Sequence, residues 1–225
     1  VELILNPGCD LKSSQTAVEL AGRFPFVYAA VGVHPEECAD WNAEHDIPVL
    51  ETLAQNPKVR AIGEIGLDYH WAENPPRELQ QQAFHAQLEL AEKLDLPVIV
   101  HDRDAHHDCL DIVRAHPNVT GVYHCYSGGV EDAKTLMKLG WMISFTGSIT
   151  FKNARRALEV IDLLPMDRMM IETDSPYMSP EPFRGRRNDS GRVHLVAEAI
   201  ARRKGLDPEE VARITLENGK RFFRI

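Results

Sequence analysis

Five apolar runs in this chain stop at a histidine or a carboxylate. Val31-Gly32-Val33 leads to His34, Ala61-Ile62-Gly63 to Glu64, Val98-Ile99-Val100 to His101 and Gly121-Val122-Tyr123 to His124. Met169-Met170-Ile171 runs on through Glu172-Thr173 to Asp174. Several of these runs lack polar–apolar alternation, which is how strands buried on both faces of a parallel sheet read. As parallel strands of one barrel they would share a carboxyl-end face. Barrel enzymes build their catalytic sites there, from residues at several strand ends.

The rest of the chain fits that arrangement. Strands are expected at Glu2–Leu5, Val27–Val33, Val59–Gly63, Pro97–Val100, Val119–Tyr123, Trp141–Phe145 and Met169–Ile171. Asn6-Pro7-Gly8 reads as a turn, and Ser13 or Ser14 as the cap of a helix running to Arg23. A short helix is expected near Val49–Gln55. A long one follows Pro75-Pro76 to Leu94, with Leu79, Ala83, Leu90 and Leu94 on one side, a stripe suited to packing on a sheet. Helices also fit Ala105–Ala115, Val130–Leu139, Ala154–Leu163, Val193–Arg203 and Pro208–Phe222. Alternating strands and helices imply a mostly parallel sheet. The expected fold is therefore an α/β, TIM-type (β/α) barrel, with an open doubly wound sheet as the alternative. Seven strands are counted where a closed barrel has eight. The missing unit is expected upstream of Val1, so residues 1–225 read as one barrel domain, incomplete at its N-terminus.

Composition narrows the chemistry. The 225 residues are 44% hydrophobic and 26% charged, and the net charge of −9 argues against a large basic footprint for nucleic acid. A local basic rim remains compatible with it. No apolar stretch approaches the roughly 20 residues of a membrane-spanning helix. The four cysteines form no CxxC pair and read as reduced thiols of a cytoplasmic protein. There is no GxSxG, no P-loop and no complete dinucleotide fingerprint.

Histidine and carboxylate together suit divalent transition ions, whereas magnesium prefers oxygen alone. Each strand-end residue also has an ordinary structural explanation. His34 could sit in a turn before Pro35, Glu64 in a salt bridge, Asp174 in a turn before Ser175-Pro176, and Asp102 and Asp104 could cap a helix. Agreement of position and type across five strand ends is what favours a metal centre. His106, His107, His116 and His194 read as exposed. Arg184-Gly185-Arg186-Arg187-Asn188 follows the last strand, and Lys152, Arg155 and Arg156 follow the one before it. Phosphate sites of barrels lie near such positions, and arginine offers phosphate a bidentate fork.

At these residues the chain closely resembles the TatD family of metal-dependent hydrolases. The matching pieces are Gly32-Val33-His34-Pro35, Gly63-Glu64-Ile65-Gly66-Leu67-Asp68-Tyr69, Val100-His101-Asp102-Arg103, His124-Cys125-Tyr126-Ser127-Gly128 and Glu172-Thr173-Asp174-Ser175-Pro176-Tyr177. Arg184–Asn188, Glu217-Asn218 and Phe222-Phe223 also fit, so the resemblance spans the chain in order. It implies a TIM-barrel, amidohydrolase-like deoxyribonuclease, a monomer with a divalent metal centre commonly of two ions, whether zinc, manganese, magnesium or nickel. It implies that Glu64 bridges the ions, that His101 and His124 hold one, and that Asp174 holds the other and orients or deprotonates the attacking water. It places His34 near the substrate phosphate, with Arg186 and Arg187 as further substrate contacts. The substrate implied is DNA, single-stranded or at strand ends. Members usually open with a His-x-His pair on the first strand. None occurs here, and the pair is expected in the unit upstream of Val1. The rival readings are an amide, ester or lactone hydrolase built on the same centre, or a metal-poor scaffold.

Overall fold

A computed structural model describes residues Val1–Ile225. The chain divides into two compact units, Glu2–Val122 and Tyr123–Ile225, the latter with Val1. No helix is long and apolar enough to cross a membrane.

The first unit contains β1 (Ile4–Pro7), α1 (Leu11–Arg23), β2 (Val27–Val31), α2 (Ala43–Ala54), β3 (Val59–Asp68), α3 (Arg77–Leu94), β4 (Val98–Arg103) and α4 (His106–Ala115). Strands β1 to β4 pair in chain order, all parallel. Parallel neighbours need a crossover, and each helix supplies one. β1 runs through Asn6-Pro7 rather than turning there. The ladder continues past the proline because Gly8 N–H donates to the Ala30 carbonyl at 3.0 Å. Asp10, not Ser13 or Ser14, caps α1. Its carboxylate accepts from Ser13 N–H at 2.6 Å while the Ser13 hydroxyl accepts from Asp10 N–H at 2.9 Å. Ser14 is buried instead, its hydroxyl bridging the amide and carbonyl of Gly32. α2 starts six residues before the expected Val49. Asn42 caps it through Glu44 N–H at 3.0 Å, so the helix is established before it meets Pro48.

The largest departure from expectation is β3, which extends five residues beyond Gly63. Ile62 pairs with Val98 and Ile65 with Val100, three steps on β3 against two on β4. One extra residue is therefore accommodated at Gly63-Glu64, the count of a β-bulge. Pairing then resumes to Asp68 opposite Arg103. Ala61, Ile62, Ile65 and Leu67 are fully buried, so the strand is enclosed on both faces.

The second unit holds β5 (Gly121–Tyr123, at the boundary), α5 (Val130–Lys138), β6 (Met142–Phe145), α6 (Arg155–Leu163), β7 (Met169–Ile171), α7 (Val193–Lys204) and α8 (Pro208–Phe223). The order β5-β6-β7 again follows the chain, with β6 and β7 parallel. Trp141, Tyr123 and Phe145 are almost completely buried, and the Tyr123 and Trp141 rings meet edge-on at 5.5 Å. Truncating such a ring to alanine costs about 3–5 kcal/mol. Asp207 caps α8 with Pro208 in its first turn, as the sequence suggests. Buried Asn218 ties α8 to β7 by donating to the carbonyls of Met166 (2.7 Å) and Met169 (2.8 Å).

Candidate metal centre

The bulge in β3 decides where Glu64 goes. A bulge re-aims a side chain relative to the regular pleat and is common beside active sites. Glu64 is buried, and its Oε1 lies 3.2 Å from His34 Nε2 and 3.0 Å from His101 Nδ1. Donor atoms of these three residues all lie within 4.8 Å of one another, close enough to share one ion. His34 stands three residues beyond β2, where it caps the 3₁₀ turn Pro35–Asp40. Its own N–H donates to the Cys9 carbonyl at 2.8 Å, and its ring meets that of His101 edge-on at 4.3 Å.

His101 is held from its far side. Its Nε2 lies 2.8 Å from Asp68 Oδ2, and Asp68 is fully buried. Asp68 also accepts from His70 N–H (2.9 Å) and from the Asn74 side-chain amide (2.9 Å). The Gln80 side chain takes up the Asp68 backbone on both sides, at 2.9 and 3.0 Å. Burial pushes the Asp68 carboxyl pKa up, but the hydrogen bonds from His101 and His70 and the nearby charges of His101 and Arg103 outweigh it, and the net direction is down. Asp68 is thus an ionised acceptor. Gly66 makes the approach of the two strands possible. A Cβ there would lie 2.0 Å from the His101 carbonyl oxygen, and its φ of +138° is one that L side chains rarely adopt.

These partners assign the protons. Asp68 only accepts, so in a neutral His101 ring the proton sits on Nε2 and the lone pair of Nδ1 faces Glu64. In that state Nδ1 and Glu64 Oε1, 3.0 Å apart, both offer lone pairs, an arrangement suited to sharing a cation. A histidine whose second nitrogen is fixed by a carboxylate is the usual construction around a bound metal. The donor set, imidazole plus carboxylate, suits a divalent transition ion. His34 is built the other way. Its Nδ1 accepts from Glu36 N–H at 3.2 Å, which leaves the neutral ring's proton on Nε2, aimed at Glu64. His34 therefore sits within reach of the ion but is prepared as a hydrogen-bond donor.

In the second unit, His124 Nδ1 lies 3.4 Å from Glu172 Oε1, which also accepts from Cys125 N–H at 2.6 Å. Asp174 is half-buried just beyond β7, and its carbonyl accepts from Tyr177 N–H at 2.6 Å. The loop that follows is braced from within. Buried Asn188 donates to the Tyr177 carbonyl at 2.8 Å, buried Ser179 to the Arg186 carbonyl at 2.7 Å, and Arg192 to the Arg187 carbonyl at 2.8 Å. The Arg186 and Arg187 side chains are displayed to solvent on this braced backbone. Arg184 instead lies over the Phe151 ring at 4.3 Å, and Arg155 pairs with Glu159 at 2.9 Å.

The model of the family described as TatD related DNase matches residues 1–224. The chain belongs to this family. It is 43% identical to the uncharacterized metal-dependent hydrolase YabD of Bacillus subtilis, over 100% of this chain and 88% of that protein. It is 36% identical to a protein of Erwinia billingiae named 3'-5' ssDNA/RNA exonuclease TatD, over 99% and 87%. Its structure matches that of the TatD homologue YjjV of Escherichia coli with a TM-score of 0.93 at 30% identity, over 100% and 87%. The α/β barrel-type fold read from the sequence is thereby borne out, and the chain is a metal-dependent hydrolase of TatD type.

Within this TatD-family chain, two acidic residues that contact candidate histidines have no role in the expectations above. Asp68 anchors His101 and Glu172 contacts His124. Each lies within a quoted motif, and spacing was the available signal. Asp68 is four residues beyond Glu64, hence on the same face of a strand that continues past the bulge. Three expectations about ordinary residues also change. His116 is buried rather than exposed, its Nε2 2.9 Å from His85 Nδ1. His106 is half-buried, its Nδ1 2.8 Å from Asp102. Asp102 and Asp104 do not cap α4, whose N-cap position is Ala105, without a side-chain cap. They bind His106 and His70 instead. His107 and His194 are exposed as expected.

Proposed function

We propose that the protein is a divalent-metal-dependent phosphodiesterase acting on single-stranded DNA or RNA ends. The observation that carries this reading is the line Glu64, His101, Asp68, in which a buried carboxylate fixes an imidazole whose other nitrogen lies 3.0 Å from a second carboxylate. Glu64 and His101 would hold an ion. His124 and Asp174 are further proposed ligands on the family resemblance, for two ions per chain. When bound, a divalent ion supplies positive charge that makes water a usable nucleophile near neutral pH, by bringing its pKa toward ~7.

The chain's own residues do the rest. Asp68 keeps His101 in one tautomer and one orientation. Asp174 orients the attacking water and takes its proton. His34 donates its Nε2–H to a non-bridging phosphate oxygen, where negative charge grows in the transition state. Arg186 and Arg187 hold the phosphate from the braced loop, through the planar fork that suits it. An uncharged amide or lactone would have no use for two solvent-facing guanidiniums held this way. The substrate class also draws support from relatives named as ssDNA/RNA exonucleases.

The test is Glu64→Ala, assayed for zinc and manganese content after dialysis and for hydrolysis of end-labelled single-stranded DNA. Loss of metal is expected, with a fall in hydrolysis beyond the roughly 100-fold that a mere supporting residue costs. In the same assay His34→Ala should keep its metal yet lose about 10²–10³ in rate, as removal of one donor to developing charge does. Full metal-dependent nuclease activity in Glu64→Ala would overturn the assignment.

A further inference from the structure

The first unit carries an exposed tryptophan that nothing above uses. Trp71 is 46% exposed, whereas Trp141 is buried. It lies in the turn after β3, at the carboxyl end of the strand that bears Glu64 and Asp68. The Arg103 guanidinium lies over the Trp71 ring, 5.2 Å from its centroid, and the His70 ring meets it edge-on at 4.6 Å. Both neighbours are themselves tied down. Tyr69 N–H donates to the Arg103 carbonyl at 2.9 Å, and His70 Nδ1 lies 2.7 Å from Asp104. The turn closes through Asn74, whose N–H donates to the Trp71 carbonyl at 3.3 Å and whose side chain binds Asp68. The carboxylate that anchors His101 therefore also anchors the turn that presents Trp71. Phe24 and Phe26 are exposed too, but they precede β2 at its amino end and pack on each other at 6.0 Å.

We infer that Trp71, backed by Arg103, is a stacking platform for a nucleobase of single-stranded nucleic acid. An indole offers its π-face to any base, and a neighbouring guanidinium adds cation–π and phosphate attraction. Fixed to the end of β3, the platform holds one base in constant register with Glu64 and His101. Bases within a duplex are already stacked on each other, so the platform selects single strands and frayed ends. The inference rests on the nucleic-acid reading of the site, and it predicts which part of the substrate is recognised apart from its phosphates.

The experiment is calorimetric titration of the protein in EDTA, where no metal-dependent cleavage occurs. The probes are an eight-nucleotide oligothymidylate and a base-free octamer of abasic phosphodiester units. Wild type should bind the oligothymidylate more tightly than the base-free chain. Trp71→Ala should weaken oligothymidylate binding about 5- to 100-fold, the worth of one stacked base, and leave base-free binding unchanged. Trp71→Phe should retain most of the affinity, which separates stacking from any effect on folding. Equal oligothymidylate binding by wild type and Trp71→Ala, or no preference of wild type for bases, would overturn the platform. Base-dependent binding through Trp71 without hydrolysis on adding zinc or manganese would instead overturn the nuclease reading and leave the platform standing.

Discussion

Replacing Asp68 by asparagine exchanges one carboxylate oxygen for an NH₂ group and leaves the shape of the site alone. The carboxylate now accepts from His101 Nε2 on one side and from His70 N–H and the Asn74 amide on the other. An asparagine can keep its oxygen on only one side. With the oxygen left toward His70 and Asn74, two bonds survive and the new NH₂ faces His101 Nε2. That nitrogen must then accept, so the imidazole proton moves to Nδ1. Nδ1–H donates to Glu64 Oε1, 3.0 Å away, and the lone pair offered to an ion is gone. With the oxygen turned toward His101, the NH₂ confronts two donors in a fully buried pocket, and each orphaned donor costs about 1–3 kcal/mol. The first arrangement is therefore favoured, and it disables the ligand while sparing the fold.

The expected size is that of losing a partner behind a metal-bound histidine, about 10- to 100-fold in metal affinity. At 1.4 kcal/mol per factor of ten this is about 1.4–2.8 kcal/mol. Competition titration with a zinc chelator measures it, and nitrogen-15 shifts of the His101 imidazole report the tautomer directly. Urea unfolding of the metal-free protein should move by less than about 1 kcal/mol, because two of three bonds to the side chain persist. Asp68→Ala is the contrast. It strands three donors and should cost the metal-free fold about 3 kcal/mol or more. A zinc affinity within twofold of wild type for Asp68→Asn, with the tautomer unchanged, would refute the account of how His101 is prepared.

Two further predictions concern groups away from the centre. Burial, then the neighbouring His116 ring, lowers the His85 pKa, with Glu89 acting weakly the other way. A histidine whose folded pKa is depressed takes up its proton more readily when unfolded. Its stabilisation is full above the unfolded value near 6.5 and is lost as pH falls through the folded one. Urea midpoints should accordingly drop between pH 7.5 and 5, and His85→Gln should flatten that slope; an equal slope would exclude His85 as its source. The thiols should divide by environment. Burial raises Cys38 to about 11 and Cys109 well above the usual thiol value, with Asp102 adding to the latter. A thiol reagent at pH 8 should label exposed Cys9 first and reach Cys38 and Cys109 only on unfolding, so fast modification of either would contradict their burial.

Much of the fold was legible because strands enclosed on both faces announce themselves as unbroken apolar runs. All seven expected strands exist, and the approximate place of every long helix was readable. Boundaries were less so, for local physical reasons. Pro7 ends β1 without a missing ladder bond, and Asn42 starts α2 ahead of a proline that looked like a barrier. Glu64 and His101 were found by position and type, and they do meet. What periodicity could not show is the bulge. A regular strand places Glu64 and Asp68 on one face, and nothing in the residue pattern states that a single inserted residue at Gly63-Glu64 resets the pairing with β4. The histidine partners were equally hidden: Asp68 is far from His101 in sequence, and only the 3₁₀ turn after His34 aims Glu36 N–H at its Nδ1.

The length of β3 is the structural fact with the widest consequence. A ten-residue strand enclosed on both faces would ordinarily carry only apolar side chains, and burying a carboxylate without partners is strongly unfavourable. β3 carries two, Glu64 and Asp68, and nearly every polar contact around them serves to make that burial tolerable. The solutions differ in kind. Asp68 is surrounded by donors from three directions and is settled within the protein. Glu64 faces the imidazoles of His34 and His101, and the three donor atoms together are close enough to share a cation. A strand that uses one buried acid to brace a histidine and offers the other as a ligand has separated support from chemistry within four residues. The bulge lies on the chemistry side of that division, and the turn that presents Trp71 lies on the side of support. Removing the Asp68 side chain, as in Asp68→Ala, should consequently disturb ion binding and the Trp71 turn together, while Asp68→Asn and changes at Glu64 should leave the turn in place.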